Sequence, residues 1–202
     1  MIDLKLIYDN INNYSQEDYS YFLSIIKEEK HNKILKILNE NDKKRSILGE
    51  LLFIELLKEL KIDYNSIQIY KNKNGKPYIE NKNIYFNISH SNDYVVCAIS
   101  NNEIGIDIEK IRTINPNVIK QFATVNEIEY IKKQDSYFKK CFEIFTLKES
   151  YFKCLGTNLN YIKKVEFKIS ENLIRCSDKN ISCQLIYDIN DYIIAICEKR
   201  NG

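Results

Sequence analysis

The chain has 202 residues, 44% of them hydrophobic, enough to bury a sizeable core in one domain or two small ones. Its net charge of +2 is near balance, which excludes a blanket nucleic-acid binder and leaves local lysine clusters that favour a small polyanion. Six cysteines, at 97, 141, 154, 176, 183 and 197, form no C-x-x-C pair, and neither histidine lies near them at zinc-ligand spacing, so they read as reduced thiols used as small core hydrophobes.

Met1 to Lys5 shows no signal-peptide profile and no apolar run approaches ~18 residues, so a soluble cytoplasmic protein is expected. Lys5 to Tyr8 reads as a short strand. Helices are expected from Gln16 to Leu38 and from Lys43 to Leu60, the latter with Ile47, Leu48, Leu51, Leu52 and Leu56 on one apolar face. Strands follow near Gln68 to Tyr70, Ile84 to Ser89 and Tyr94 to Ser100. In the second of these, Ile84, Phe86 and Ile88 point one way and Tyr85, Asn87 and Ser89 the other, so His90 should emerge just past the strand end. Ser100 to Glu103 is the candidate hinge.

Next comes Gly105-Ile106-Asp107-Ile108-Glu109. Ile104, Ile106 and Ile108 alternate with Gly105, Asp107 and Glu109, which predicts one buried aliphatic face and one face with two carboxylates roughly 7 Å apart. Gly105 beside them leaves room for a ligand. Like charges this close call for a hard divalent cation such as Mg²⁺ or Mn²⁺. The alternative is the wet side of a half-exposed strand.

Asn115-Pro116 opens a short helix and Thr124 to Glu127 is a capping box for another. From Tyr137, Phe138, Phe142, Phe145, Phe152 and Leu155 recur at helical spacing until Gly156. On this helix Glu149 and Lys153 share one side, either as a functional pair or as a surface i,i+4 pair of ~0.3–0.5 kcal/mol. Strands near Val165 to Ile169, Ser182 to Tyr187 and Tyr192 to Cys197 complete the chain. Asn92 to Ile99 and Asn190 to Cys197 echo each other, by internal duplication or by chance.

The order Gly75-Lys76-Pro77, Phe86-Asn87-Ile88-Ser89-His90-Ser91, Gly105 to Glu109, then Phe145-Thr146-Leu147-Lys148-Glu149-Ser150-Tyr151-Phe152-Lys153 resembles the 4′-phosphopantetheinyl transferases of the long, surfactin (Sfp) type. The resemblance runs from Tyr8 to Cys197. It implies an α+β fold of two similar α/β halves in one chain, 1–101 and 102–202, with the active site in the cleft between them. The implied reaction moves phosphopantetheine from coenzyme A to a serine of an apo acyl or peptidyl carrier protein, releasing adenosine 3′,5′-bisphosphate. Metal ligands would fall on Asp107, Glu109 and Glu149, and Glu149, Lys153 and His90 would be catalytic. Lys76, Ser89 and His90 would contact phosphates, with Pro77 shaping the turn and Lys153 reaching the pyrophosphate. Lys30, Lys33 and Arg45 match the basic segments around the adenosine 3′-phosphate.

One departure is Phe145, where the family usually has tryptophan; this chain has none. If the ring only packs its helix against the sheet, phenylalanine serves with some loss of buried area; an indole N–H contact, if the site needs one, is missing. Arg112 to Thr124 is the expected carrier-docking segment, although its Phe122 reads more readily as core. A monomer is expected. The rival readings are a metal-dependent nuclease, whose acid-x-lysine spacing is absent after Asp107, and a module that binds carriers without modifying them.

Overall fold

Two long helices, each laid on a three-stranded antiparallel sheet, organise the computed structural model, which describes residues 4–80, 83–157, 159–170 and 173–200. Met1 to Asp3, part of the segment read for a leader profile, lie outside the described residues. The first half comprises β1 (Lys5–Asn10), α1 (Gln16–Ile25), α2 (Glu28–Leu35), α3 (Glu40–Glu59), β2 (Ile69–Lys71), β3 (Pro77–Ile79), β4 (Tyr85–Ser91) and β5 (Tyr94–Ser100). The second comprises β6 (Ile104–Lys110), α4 (Pro116–Phe122), α5 (Val125–Lys132), α6 (Tyr137–Leu155), β7 (Phe167–Ser170), β8 (Leu173–Cys176), β9 (Ile181–Ile186) and β10 (Tyr192–Lys199).

The sheets run β1-β5-β4 and β6-β10-β9, and each half adds a two-stranded hairpin, β2-β3 or β7-β8, between its long helix and its next strand. The echo in the sequence is therefore a repeat of topology. It extends to detail: Ile11 N–H donates to the Asp93 carbonyl at 2.8 Å, and Ile111 N–H to that of Asp191 at 2.7 Å. Asn92 and Asp191 both take positive φ in these turns, a conformation that short polar side chains tolerate. Tyr94 and Tyr192, the matching residues, meet edge to face at 4.9 Å between centroids.

Strand alternation divides the core. Val95, Cys97 and Ile99 of β5 face α3, where Leu48, Phe53, Leu56 and Leu57 are buried. Val96 and Ala98 face the other way, joining Ile104, Ile106 and Ile108 of β6 and Ile194 and Ile196 of β10 in a cluster between the halves. Ala195 and Cys197 turn back toward α6.

The helix expected from Gln16 to Leu38 is two helices. Ile26 is extended at the break, and Lys27 donates to the Ile67 carbonyl at 2.5 Å with its ammonium 4.8 Å from the Tyr64 ring centroid, tertiary partners that win over helical continuity. β3 and β8 were not anticipated, and β4 continues through Ser91, so His90 pairs with Val95 inside the strand and not beyond it. The expected hinge is tied down: the Ser100 hydroxyl and the Asn102 amide both donate to Glu198, and Lys199 N–H donates to the Glu103 carbonyl.

α6 spans the residues expected and ends at Gly156 in the left-handed region. Lys148 on it is fully buried, paired with Glu127 at 2.8 Å and donating to the Ile162 and Val165 carbonyls. Glu127 also accepts from Phe167 N–H. Lys148→Met leaves that carboxylate buried without its cation and should cost about 3–5 kcal/mol in urea denaturation. A loss under ~1 kcal/mol would contradict the strut role.

Candidate active site

Gly105 sets the geometry. A Cβ there would lie 2.0 Å from the Ser150 carbonyl oxygen and 2.2 Å from Cys154 N, so α6 rests directly on the β6 backbone. The expectation that Gly105 opens room for a ligand is corrected: the room is taken by the helix. Because Asp107 lies on the same face of β6, this approach brings it to α6. Lys153 donates to Asp107 Oδ1 at 2.6 Å and to Ser89 Oγ at 2.9 Å, and the Ser89 hydroxyl donates to the same Asp107 oxygen at 2.8 Å. The surface-pair reading of Lys153 is thereby overturned.

The polar face of β4 runs along β6 as a side-chain seam. Asn87 Oδ1 accepts from Ile106 N–H at 3.0 Å, Ser89 binds Asp107, and Ser91 donates to Glu109 Oε2 at 3.1 Å. Ser91, part of the motif but given no role by the sequence reading, continues the alternation of Asn87 and Ser89. The wet-strand reading of Asp107 also fails, since the residue is 3% exposed.

Burial raises the Asp107 carboxyl despite the opposing Lys153 and Ser89. Burial and then the Asp107 charge push Glu109 up to about 7 and also raise Glu149 on α6. All three carboxyls are thus raised above the usual carboxylate range, and among the described residues Asp107 Oδ2 is buried with no hydrogen-bond partner. Among the described residues no three acids, histidines or cysteines stand in a ready metal cage. The unpartnered oxygen and the raised carboxyls nonetheless form a donor set that a hard cation would satisfy.

His90 lies on the α3-facing side of β4 with Phe86 and Ile88, opposite Ser89, and is exposed there. Desolvation, then the Arg45 and Lys153 charges, holds its imidazole below the usual histidine range. Arg45 donates to the Asn92 carbonyl at 2.7 Å and to Asp42. It therefore belongs with His90 and apart from Lys30 and Lys33.

Those two lysines line a separate cavity of about 710 Å³ with Lys27, Lys71, Pro77, Asn87 and Tyr64, Glu50 also contributing to its wall. Asn87 belongs to both places. Ser89 follows one strand repeat later, roughly 7 Å along β4, so the strand leads from the basic cavity to the carboxylates. A second cavity of about 770 Å³ occupies the matching place in the other half, between β7-β8 and β9. Its cations are Lys140 and Arg200, without the lysine row.

Lys76 is the clearest departure. It is buried, and its ammonium donates to the Cys154 carbonyl at the C-terminus of α6, where Asn72 and Asn74 also donate to the Gly156 carbonyl at 3.2 and 2.7 Å. A cation suits that end of a helix. Burial holds the ammonium below the usual lysine range. The side chain expected at a phosphate here forms a clasp from the first half onto the helix carrying Glu149 and Lys153.

Phe145 meets Phe122 of α4 edge to face at 5.0 Å and packs on the core cluster that also holds Ala195 and Cys197 of β10. Phe122 is core, as one reading allowed, while Arg112, Val118 and Lys120 are exposed.

The family model described as 4′-phosphopantetheinyl transferase, N-terminal, matches residues 13–102, and that of the 4′-phosphopantetheinyl transferase superfamily matches residues 103–197. The chain is 40% identical over 157 residues to 4′-phosphopantetheinyl transferase gsp of Aneurinibacillus migulanus, covering 76% of this chain and 65% of that protein. It is 32% identical over 150 residues to 4′-phosphopantetheinyl transferase Sfp of Bacillus subtilis (strain 168), covering 72% and 67%. Among solved structures it is similar to the Thermotoga maritima holo-[acyl-carrier-protein] synthase (AcpS), at 21% identity and a TM-score of 0.43 over 50% of this chain and 64% of that one. The chain thus spans about two thirds of the length of these relatives. With both halves matched, and with the acidic strand and the Glu149 helix brought together by the fold, the chain belongs to the 4′-phosphopantetheinyl transferase superfamily.

Proposed function

We propose that this chain transfers 4′-phosphopantetheine from coenzyme A to a serine of an apo acyl or peptidyl carrier protein. The observation that carries this is the triangle of Lys153, Ser89 and Asp107, with its unpartnered oxygen, at the end of a strand that begins in a lysine-lined cavity. The cavity would take the adenosine 3′-phosphate on Lys30 and Lys33. His90, Ser89 and Lys153 would hold phosphate oxygens nearer the carboxylates.

The carrier serine oxygen attacks the β-phosphorus, a new P–O bond forms, and the bond to the bridging oxygen of adenosine 3′,5′-bisphosphate breaks. Glu149, its carboxyl raised by burial and by Asp107, would accept the serine proton itself or orient a water that does. Lys153 neutralises charge developing on the leaving group. Asp107, Glu109 and Glu149 would hold Mg²⁺ or Mn²⁺, which supplies charge neutralisation on the pyrophosphate. Lys76 fixes α6 from behind.

Exposed Arg112, Val118 and Lys120, just after the acidic strand, suit an acidic carrier helix. Lys120→Glu should slow carrier modification several-fold without changing the KM for coenzyme A; an unchanged rate would move docking elsewhere. All six cysteines are free, which supports a reducing compartment such as the cytoplasm, and the apolar cluster joining the halves supports action as a monomer. The deciding experiment is mass spectrometry of apo carriers incubated with the protein, coenzyme A and Mg²⁺. One added phosphopantetheine per carrier is expected; DNA nicking with no mass gain would replace this reading by the nuclease.

A further inference from the structure

We propose that Glu50 and Tyr64 are positioning residues for Lys30, fixing its ammonium in the wall of the basic cavity and so setting affinity for the coenzyme A 3′-phosphate. The proposal rests on the reading above that Lys30 meets that phosphate.

Glu50 is 5% exposed on α3, and a carboxylate is rarely buried unless it is paired. Its Oε1 accepts the Tyr64 hydroxyl at 2.8 Å and its Oε2 lies 3.3 Å from Lys30 Nζ. Tyr64 is itself fixed, packed edge to face on Phe53 with centroids 6.4 Å apart. Its ring carries the Lys27 ammonium, which is anchored on the Ile67 carbonyl. One glutamate–tyrosine unit thus places two of the cavity's ammonium groups. The Lys30 side chain remains 46% exposed, so donors not engaged by Glu50 are free to meet an anion. A lysine on its flexible stem otherwise loses rotamer freedom when it binds.

A carboxylate in an anion cavity has two opposed effects: its charge repels the phosphate, and its grip preorganises the lysine. Glu50→Gln keeps the shape and the acceptor for Tyr64 but removes the charge, so the sign of the result decides. Repulsion alone predicts a lower KM for coenzyme A. Positioning predicts a higher one, by about tenfold, with kcat within about twofold and little change for 3′-dephospho-coenzyme A. Tyr64→Phe, which removes only the hydroxyl, should give a smaller rise in the same direction.

The second half supplies a matched control. Glu143 on α6 is fully buried, accepts the Tyr187 hydroxyl at 3.0 Å and pairs with Lys140 at 2.8 Å beside the other cavity. Glu143→Gln should leave the KM for coenzyme A unchanged; an equal rise there would reduce the Glu50 effect to general loosening and overturn the proposal. A lower or unchanged KM in Glu50→Gln, with Lys30→Ala still raising it, would also overturn the proposal. An unchanged KM in Lys30→Ala would overturn the phosphate assignment beneath it.

Discussion

Glu149→Gln should lower turnover of carrier protein by roughly 10²–10⁴-fold, the range of a positioned proton acceptor, while leaving the fold as stable as before or slightly more so. The two halves of this expectation have one cause. Burial and the neighbouring Asp107 charge raise the Glu149 carboxyl, so its ionised form is less favourable in the folded chain than in the unfolded one. A carboxyl raised in this way detracts from stability once the pH exceeds its unfolded value, and a neutral amide removes that penalty. Loss of activity with an unchanged or higher Tm is the signature of a group kept for chemistry at the expense of stability. Single-turnover mass spectrometry of the carrier, paired with a thermal melt, checks both. Near wild-type turnover would take Glu149 out of the site, and a large drop in Tm would make it structural.

Gly105→Ala is expected to be the most damaging small change in the chain. The added methyl would meet the Ser150 carbonyl oxygen, Cys154 N and Cys154 Cα at 2.0, 2.2 and 2.8 Å. These are backbone atoms of a buried helix, so no rotamer change relieves the overlap. α6 would have to lift from β6, separating Lys153 from Asp107. A loss beyond ~4–5 kcal/mol, or failure to fold, follows. Gly49→Ala on α3 is the comparison, because its methyl would meet the Ile88 Cγ2 side-chain atom at 3.0 Å, which can shift by a rotamer adjustment. Urea denaturation of the two variants should separate them widely; a Gly105 variant as stable as that at Gly49 would refute the packing described for α6.

Particular residues show why part of this was legible in the sequence. Alternation is local, so the two faces of β6 could be read directly, and the Asn115, Thr124 and Gly156 caps placed the helix ends because each depends on a few adjacent residues. What the sequence left hidden is contact between distant segments. Lys76 sits in a turn that looks free to reach a phosphate, and only the fold shows the end of α6 occupying that position. Gly105 was rightly singled out, but periodicity does not say whether an empty side-chain position faces a ligand or a helix. Glu50 and Tyr64 carry no motif; their pairing appears once α3 and the segment before β2 are brought together. Ser91 was within reach, since the alternation that marks Asn87 and Ser89 continues to it.

The apolar layer between β5, β6 and β10 bears on how this chain could be cut. Val96 and Ala98 are covered from one side of it, and Ile104, Ile106, Ile108, Ile194 and Ile196 from the other. Severing the loop that follows Ser100 removes only a covalent link, and two fragments synthesised together have every reason to reassociate along that surface. Either fragment produced by itself would carry an oily, uncovered sheet into water, so the smallest unit of this fold that can stand alone is the pair.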